Sequence, residues 1–289
     1  MNNLSVPIPD DVKLERDVVF NTNASRPLTL HLLRSQTANI EPQPVIVYIF
    51  GGAFRTGSKD SGIAALTPFA QRGYVCASIE YRYSGEALFP AQLEDVKCAI
   101  RFLRANAERF GIDPERIGVF GHSSGGYLST MLGVTADRPE FEGTGGISGG
   151  WEGFSSRVQA VCNFFGPSDF LVMNRAGSVQ DHDAPDSPES ELLGGPIQTL
   201  PERAAQSNPI TYITPESVPP PFLIVHGEAD PLVPFNQSEL LCTALERVKT
   251  NVRFHRIAGA GHGGPAFEMP AILGLMNLFF ALHLRPEQP

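Results

Sequence analysis

Short apolar runs alternate with longer segments of helical pattern through most of this chain, and this alternation restricts its fold most. Six such runs occur, at residues 45–50, 75–79, 117–120, 158–165, 222–226 and 252–257. Continuous Val, Ile and Phe runs of this length are typical of strands buried on both faces, and helices between them indicate parallel crossover connections. The sequence therefore predicts an α/β fold with a mostly parallel central sheet flanked by helices.

Both ends of the chain add elements to this sheet. Residues 12–21 and 27–33 favour strands and are separated by a polar segment, which predicts an antiparallel hairpin and about eight strands in all. Apolar residues in 93–110 recur at steps of three and four, which predicts one helix ending at Gly111. Residues 270–284 are too short to cross a bilayer and predict a packed terminal helix.

Two stretches interrupt the alternation. Residues 137–157 are rich in glycine, and residues 168–221 are rich in Pro, Ser, Asp and Glu. Loops of this length inside a compact domain are usually functional or disordered. No linker or internal repeat divides the chain, so we expect residues 1–289 to form a single domain in which both insertions roof the active site like a cap.

Composition argues against several kinds of partner. The chain has 22 basic and 31 acidic residues, a net charge of −9, without a basic stripe, so no nucleic-acid partner is expected. Residues 1–11 lack the positive end and apolar centre of a secretion signal, which predicts a cytoplasmic protein without a membrane partner. Asp181-His182-Asp183 has no second ligand cluster, so we expect neither a metal nor another cofactor. No feature specifies an oligomeric state.

Ser123 lies in the segment with the strongest chemical signature, Gly121-His-Ser-Ser-Gly125, between the apolar run 117–120 and a helical pattern. A strand, a glycine-bounded serine and a helix form a nucleophile elbow, whose tight turn leaves no room for side chains at the two glycines. The turn presents Ser123 Oγ above the sheet edge, and the amide of Ser124 is placed to stabilise an oxyanion. Such a string also arises by chance, but its strand and helix context favours a catalytic serine.

A serine hydroxyl is a poor nucleophile alone, so the chemistry requires a histidine base and a carboxylate that fixes the imidazole tautomer. Asp230 follows the buried run 222–226, and His262 lies in a glycine-rich loop after the run 252–257. The order Ser, Asp, His along the chain is the order that accompanies a nucleophile elbow. We therefore predict Ser123 as nucleophile, His262 as general base and Asp230 as the residue that orients His262.

Other side chains near these positions are weaker candidates. Glu228 is the second choice for the acid. His226 ends a strand and His255 lies within one, which favours structural roles. His122 adjoins the nucleophile and is expected to point towards bound substrate or a neighbouring turn, because His262 already fills the position of the base.

A second oxyanion donor is expected from the loop after an earlier strand, here residues 49–54. Two successive glycines let this loop pass close to the scissile carbonyl, and the amides of Gly52 or Ala53 are the expected donors. Phe50 and Phe54 in the same loop are candidates for contact with substrate.

Two aromatic residues of the glycine-rich insertion are further candidates for substrate contact. Trp151 and Phe154 have rings that stack on an aromatic or sugar-bearing substrate, or that anchor the loop by packing. The sequence leaves both alternatives open.

A resemblance to a known family rests on five segments, at residues 81–97, 121–126, 164–169, 207–212 and 226–234. Together they resemble the esterase/lipase branch of the α/β-hydrolases, and most closely the bifunctional feruloyl and acetyl-xylan esterases. The resemblance spans roughly residues 40 to 265. It implies an α/β-hydrolase fold and a small-molecule or oligosaccharide ester as substrate, with a short acyl group or an ester that decorates plant polysaccharide.

One departure from that family lies in the oxyanion loop. Such esterases usually begin this loop with His-Gly-Gly, whereas Phe50 replaces the histidine here. The amide donors survive the replacement, but the bracing of the loop and the lining of the acyl pocket must differ.

Two other classes of protein share some of these features. A serine peptidase of the prolyl-oligopeptidase type has the same triad but ordinarily carries a large extra domain. A binding protein on a hydrolase scaffold is expected to lack one of the triad residues, and all three are present. The glycine-rich loop at 259–264 matches a dinucleotide-binding string, but no βαβ unit follows it. The sequence therefore favours a carboxylesterase. Its activity should fall as the histidine base is protonated, which for an ordinary histidine side chain occurs at roughly pH 6 to 7.

Overall fold

A computed structural model describes residues 7–37, 41–136, 138–143 and 149–285, without the side chain of residue 176. The strands are β1 (Val12–Asn21), β2 (Leu28–Ser35), β3 (Gln43–Ile49), β4 (Val75–Ile79), β5 (Ile112–His122), β6 (Ala160–Phe164), β7 (Phe222–Gly227) and β8 (Val252–Ile257). They form an eight-stranded sheet in the order β1-β2-β4-β3-β5-β6-β7-β8. β2 pairs antiparallel with β1 and β4, and the other neighbours are parallel. The predicted hairpin and the mostly parallel sheet are confirmed.

The burial of the strands explains why their sequences are so apolar. The side chains of β4 and β7 are buried along their whole length, because helices cover both faces of the central sheet. In β8, at one edge, no residue is fully buried, and its sequence is correspondingly more polar. A continuous apolar run therefore predicts the central strands of this sheet better than the edge strand β8.

The helices of the described residues are α1 (Ser61–Ala70), α2 (Ala91–Ala105), α3 (Ala107–Phe110), α4 (Ser124–Val134), α5 (Pro188–Leu193), α6 (Pro201–Ser207), α7 (Asn236–Arg247) and α8 (Pro270–Leu284). α1 and α8 share one face of the sheet, where Phe69 contacts Phe280, and α2 packs against α4 on the other. α8 matches the predicted terminal helix. Among the described residues, none of these helices is both long and apolar enough to span a membrane.

The helix predicted over 93–110 is interrupted. α2 ends at Ala105, and Asn106 leaves the helical region with φ −107° and ψ 25°. Its Nδ2 donates to the carbonyl of Phe102 at 2.9 Å, so the side chain competes for a helical acceptor. The short α3 then carries Phe110 into the core and ends at Gly111, which has the predicted left-handed conformation, φ 68°.

Residues 168–221 form short helical turns together with α5 and α6. In the other insertion, positions 137 and 144–148 lie outside the described residues. Of its described residues, 138–143 and 149–157, Trp151 packs against β1 and α2.

Candidate active site

Ser123 lies at the turn between β5 and α4 with φ 54° and ψ −121°, a conformation that is strained for an L-residue. The turn is tight enough to exclude side chains at its two glycines. A Cβ at Gly121 would lie 2.3 Å from the carbonyl oxygen of Gly125, and one at Gly125 would lie 2.1 Å from that of Ile49. The glycines of the string are thus required by steric contact, as the sequence predicted.

The three residues predicted as a triad lie at the carboxyl ends of β5, β7 and β8. His262 Nε2 lies 3.0 Å from Ser123 Oγ, and His262 Nδ1 lies 2.7 Å from Asp230 Oδ2. The first distance lets Nε2 accept the hydroxyl proton, and the second fixes the Nδ1–H tautomer. Glu228, the alternative acid, is exposed, so the structure brings Asp230 and not Glu228 to the imidazole.

Asp230 is an ionised carboxylate whose oxygens are both fully hydrogen bonded. Oδ1 accepts from the amides of Leu232 and Val233 at 2.9 and 3.0 Å, and Oδ2 accepts from His262 and from Nε2 of His226, the latter at 3.1 Å. Burial raises the pKa of Asp230, but these hydrogen bonds outweigh burial and lower it to about 2. The carboxylate therefore keeps its negative charge throughout the neutral range.

His226 contacts the predicted triad through Asp230, whereas the sequence favoured only a structural role for it. Its Nε2 also lies 3.0 Å from the carbonyl of Val233, and its Nδ1 lies 2.7 Å from Ser238 Oγ. Both groups beside Nε2 are acceptors, so Nε2 carries the proton and Nδ1 accepts from the serine hydroxyl. The only sequence signal for this contact is the four-residue spacing between His226 and Asp230.

The loop after β3 curls under the serine through three successive residues with positive φ, namely 141° at Gly52, 55° at Ala53 and 61° at Phe54. The Gly52 carbonyl closes the curl by accepting from the amides of Arg55 and Thr56 at 3.0 and 3.1 Å. A Cβ at Gly52 would lie 2.0 Å from the carbonyl oxygen of Thr56. Gly52 thus lets the loop curl on itself, and Gly51, where a Cβ would lie 2.5 Å from the carbonyl oxygen of His122 and 3.2 Å from Ser123 Cβ, lets its main chain approach the serine.

Phe50 lies behind this loop and not in the cavity that contains Ser123. Its buried ring stacks on Tyr81, with centroids 4.5 Å apart and an interplanar angle of 18°. The hydroxyl of Tyr81 donates to the Phe50 carbonyl at 3.0 Å. An aromatic stack therefore braces the loop, and the structure does not place Phe50 against substrate.

A cavity of about 440 Å³ opens beside Ser123 Oγ. Gly52, Ala53, Phe54 and Ser124 line it. The long insertion and the segment after β7, which meet where His182 contacts the Leu232 carbonyl, contribute the lining residues Gln180, His182, Pro188, Glu189, Leu232 and Val233.

Phe165 separates this cavity from a second one of about 570 Å³ and lines both. Its ring centroid lies 4.6 Å from that of His262, and its backbone has φ 42°. His122 lines the second cavity, where its Nδ1 lies 3.3 Å from the hydroxyl of Tyr48. Burial and the proximity of His262 lower the pKa of His122 to about 4, so its imidazole is neutral.

The remaining sequence candidates lie away from the serine. Trp151 Nε1 donates to the carbonyl of Phe20 at 2.9 Å, and its indole packs against Phe102, so the structure supports the anchoring alternative. Phe154 is 44% exposed and lines neither cavity. His255 is exposed on the edge strand β8.

Comparison with known proteins gives the family. The BD-FAE family model matches residues 31–245. The esterase LipC of Mycobacterium tuberculosis is 34% identical over 239 residues, which cover 81% of this chain and 56% of that protein. The probable carboxylic ester hydrolase LipM of the same organism is 32% identical over 211 residues, which cover 71% and 45%. The chain thus spans about half the length of these curated relatives.

Solved structures show the same fold. A truncated carbohydrate esterase from gut microbiota superposes with a TM-score of 0.84 at 30% identity, covering 96% of this chain and 98% of that one. The esterase Est2 of Thermogutta terrifontis superposes with a TM-score of 0.74 at 24% identity, covering 97% and 96%. With the family match over most of its length and the α/β-hydrolase fold, this chain belongs to the BD-FAE family.

Proposed function

We propose that this protein is a carboxylic ester hydrolase with Ser123 as its nucleophile. The observation that carries the proposal is the pair of hydrogen bonds that joins Ser123 Oγ to His262 and His262 to Asp230, at 3.0 and 2.7 Å. These bonds meet at a cavity that Gly52 and Ala53 line. A nucleophile, its base and a pair of oxyanion donors around one space are the parts that acyl transfer needs.

The first half of the reaction forms an acyl-enzyme. Ser123 Oγ bonds to the ester carbonyl carbon as His262 Nε2 takes the hydroxyl proton. The tetrahedral oxyanion accepts hydrogen bonds from the amide of Ser124 and from Gly52 or Ala53. The bond to the leaving oxygen then breaks, and His262 gives its proton to the departing alcohol.

Water completes the cycle. It enters the place that the alcohol has left and transfers a proton to His262 Nε2 while its oxygen attacks the acyl carbon. The second tetrahedral intermediate collapses, the bond to Ser123 Oγ breaks, and the serine regains its proton as the carboxylic acid leaves. Asp230, ionised through both steps, stabilises the imidazolium that forms twice per turnover.

For substrates we propose esters of short acyl or aromatic acids, including those carried on carbohydrate. The similarity to a carbohydrate esterase supports this class, and so does a cavity of about 440 Å³, which suits a small acyl or alcohol group. The lining by Gln180 and Glu189 supports the further proposal that the insertion at 168–221 roofs the site.

The test is a panel of p-nitrophenyl acetate, p-nitrophenyl butyrate, methyl ferulate and acetylated xylo-oligosaccharides, measured beside an aminoacyl p-nitroanilide. We expect turnover of the esters and a loss of roughly 10⁴-fold or more in Ser123→Ala. Faster turnover of the anilide than of every ester would indicate a peptidase instead. Unchanged ester hydrolysis by Ser123→Ala would overturn the proposal.

A further inference from the structure

His182 is a buried histidine in the roof of the cavity, outside the triad. It is 2% exposed and lies in the insertion just before α5. Its Nδ1 lies 3.0 Å from Glu189 Oε2, and its Nε2 lies 3.0 Å from the carbonyl oxygen of Leu232. The side chains of Asp181, His182 and Asp183 are of types that bind metals, but both ring nitrogens of His182 already have hydrogen-bond partners.

The partners of His182 favour a charged imidazole. A carboxylate and a backbone carbonyl only accept hydrogen bonds, so a proton on each ring nitrogen satisfies the acceptor that it faces. The hydroxyl of Ser178 is also 3.0 Å from Nε2, but it lies 2.9 Å from the same Leu232 carbonyl and can donate there. A neutral ring would turn a lone pair towards one of the two acceptors. Glu189 is itself 4% exposed, so the ion pair is buried.

Charge around the ring favours the same state. Burial lowers the pKa of His182, but the hydrogen bond and negative charge of Glu189 outweigh burial and raise it above its ordinary value. The other charged groups that face the ring are Asp181 and Asp183 of its own loop, with Asp230 beyond the peptide that His182 contacts. All of these groups are acidic.

That peptide links His182 to the triad. The carbonyl of Leu232 and the amide of Val233 belong to one peptide group, whose oxygen faces His182 Nε2 and whose N–H donates to Asp230 Oδ1 at 3.0 Å. A cationic donor at the oxygen polarises the group and strengthens its N–H as a donor. The peptide is thereby held in one orientation between the two side chains.

We propose that His182, kept as an imidazolium by Glu189, is a positioning residue for ester hydrolysis, which fixes through this peptide the carboxylate that orients His262. The role rests on the proposed function, since it needs Asp230 to act in turnover. It predicts that losing the positive charge at His182 lowers kcat while the fold is kept.

Glu189→Gln tests the role because it removes the charge partner and keeps the size of the side chain. Burial lowers the pKa of His182 and the opposing carboxylate is gone in this variant, so the ring loses its charge at a lower pH than in the wild type. We expect kcat for p-nitrophenyl acetate to fall roughly tenfold relative to the wild type at pH 8, the size of one charge-assisted hydrogen bond, and this deficit to shrink as the pH is lowered and the ring of the variant is protonated. Glu189→Asp, which keeps the charge, should recover most of the loss at pH 8.

A matched control comes from the same helix. Glu191 forms an ion pair with Arg55 at 2.6 Å. The side chain of Glu191 is 44% exposed and that of Arg55 is 35% exposed. Glu191→Gln loosens the roof without touching His182, and its kcat should match the wild type at pH 6 and pH 8. A defect in Glu189→Gln of equal size at pH 6 and pH 8, or one shared by Glu191→Gln, would show a merely structural role and overturn the inference.

A second measurement does not depend on turnover. In protein with ¹⁵N-labelled histidine, the His182 signals, assigned by their loss in His182→Gln, should show two protonated ring nitrogens up to a higher pH in the wild type than in Glu189→Gln. A neutral ring in the wild type overturns the inference even if the enzyme is active. Absence of Ser123-dependent hydrolysis would overturn the proposed function and this role with it, whereas a pH-independent defect in an active enzyme overturns this role alone.

Discussion

The side chain of His226 donates from Nε2 to Asp230 Oδ2 at 3.1 Å, on the same carboxylate oxygen that His262 contacts. His226 is fully buried and its other nitrogen is held by Ser238. The aspartate therefore lies between two imidazoles, one that faces the nucleophile and one that faces the core. The hydrogen bond from the buried imidazole therefore holds the Asp230 carboxylate in position beside His262.

Replacing His226 with Phe should weaken catalysis and stability together. Asp230 loses a donor, and the Val233 carbonyl and the Ser238 hydroxyl are left buried without it, at a cost of about 1–3 kcal/mol per unsatisfied group. We expect kcat/KM for p-nitrophenyl acetate to drop by about 10-fold or more, and urea unfolding to show the lost stability. Ser238→Ala, which removes only the partner of Nδ1, should retain most of the activity. Wild-type kinetics in His226→Phe would refute the positioning role.

The stability of the fold should decrease in two steps as the pH falls. The folded-state pKa of His122 is about 4, below its ordinary 6.5, so its neutral form contributes stability that is complete above pH 6.5 and lost as the pH falls towards 4. Asp230, with its pKa lowered from 3.8 to about 2, adds a second loss below about pH 4. The first step should amount to about 3 kcal/mol and the second to about 2 kcal/mol.

His122→Phe isolates the first step, since a ring of similar size replaces the one that titrates. Urea unfolding at several pH values between 7 and 4 should give a flatter profile for the variant than for the wild type. Parallel profiles would show that His122 does not titrate in this range.

The parts of the site that follow local rules were predictable from the sequence. Ser123 is specified by a glycine-bounded turn between a strand and a helix, and Asp230 and His262 by their positions after buried strands. The fold was predictable for a related reason, because strands covered on both faces, such as β4 and β7, must be continuously apolar. Each of these features leaves its mark within a few neighbouring residues.

Contacts between distant segments left no such mark. His182 meets Leu232 across 50 residues, and the cavity wall at 180–189 comes from a stretch whose composition predicts only a loop. Trp151 anchors to Phe20 across 131 residues, so its contact with the core was no more evident than one with substrate. The break at Asn106 does not follow from the apolar stripe, which continues past it into α3, although the Asn106 side chain bonds to the Phe102 carbonyl.

Gly125→Ala should damage the site through steric contact alone. The new Cβ would lie 2.1 Å from the carbonyl oxygen of Ile49, main chain that cannot move without disturbing β3 and the oxyanion loop. We expect a large loss of soluble folded protein or of kcat. Gly153→Ala is the matched control, because nothing lies within 4 Å of the position of its Cβ. Circular dichroism and ester hydrolysis of the two variants decide between this view and a tolerant turn.

Phe50 offers the sharpest test of how the oxyanion loop is held. Its ring is buried against Tyr81, so Phe50→Ala should open a cavity costing about 3–5 kcal/mol. The amides of Gly52 and Ala53 would lose their support, so kcat should fall more than KM changes.

Phe50→His tests the His-Gly-Gly pattern from which the sequence departs at this position, and it separates the two contributions of the ring. A flat imidazole can keep the stack on Tyr81, but it buries a polar ring where the structure has an apolar one, at a cost of about 1–3 kcal/mol. Stability should therefore fall less than in Phe50→Ala, and kcat for p-nitrophenyl acetate should stay within a few fold of the wild type. If Phe50→His lost as much kcat as Phe50→Ala, stacking on Tyr81 would not be what holds the loop, because both variants keep the bond from the Tyr81 hydroxyl to the main-chain carbonyl of residue 50.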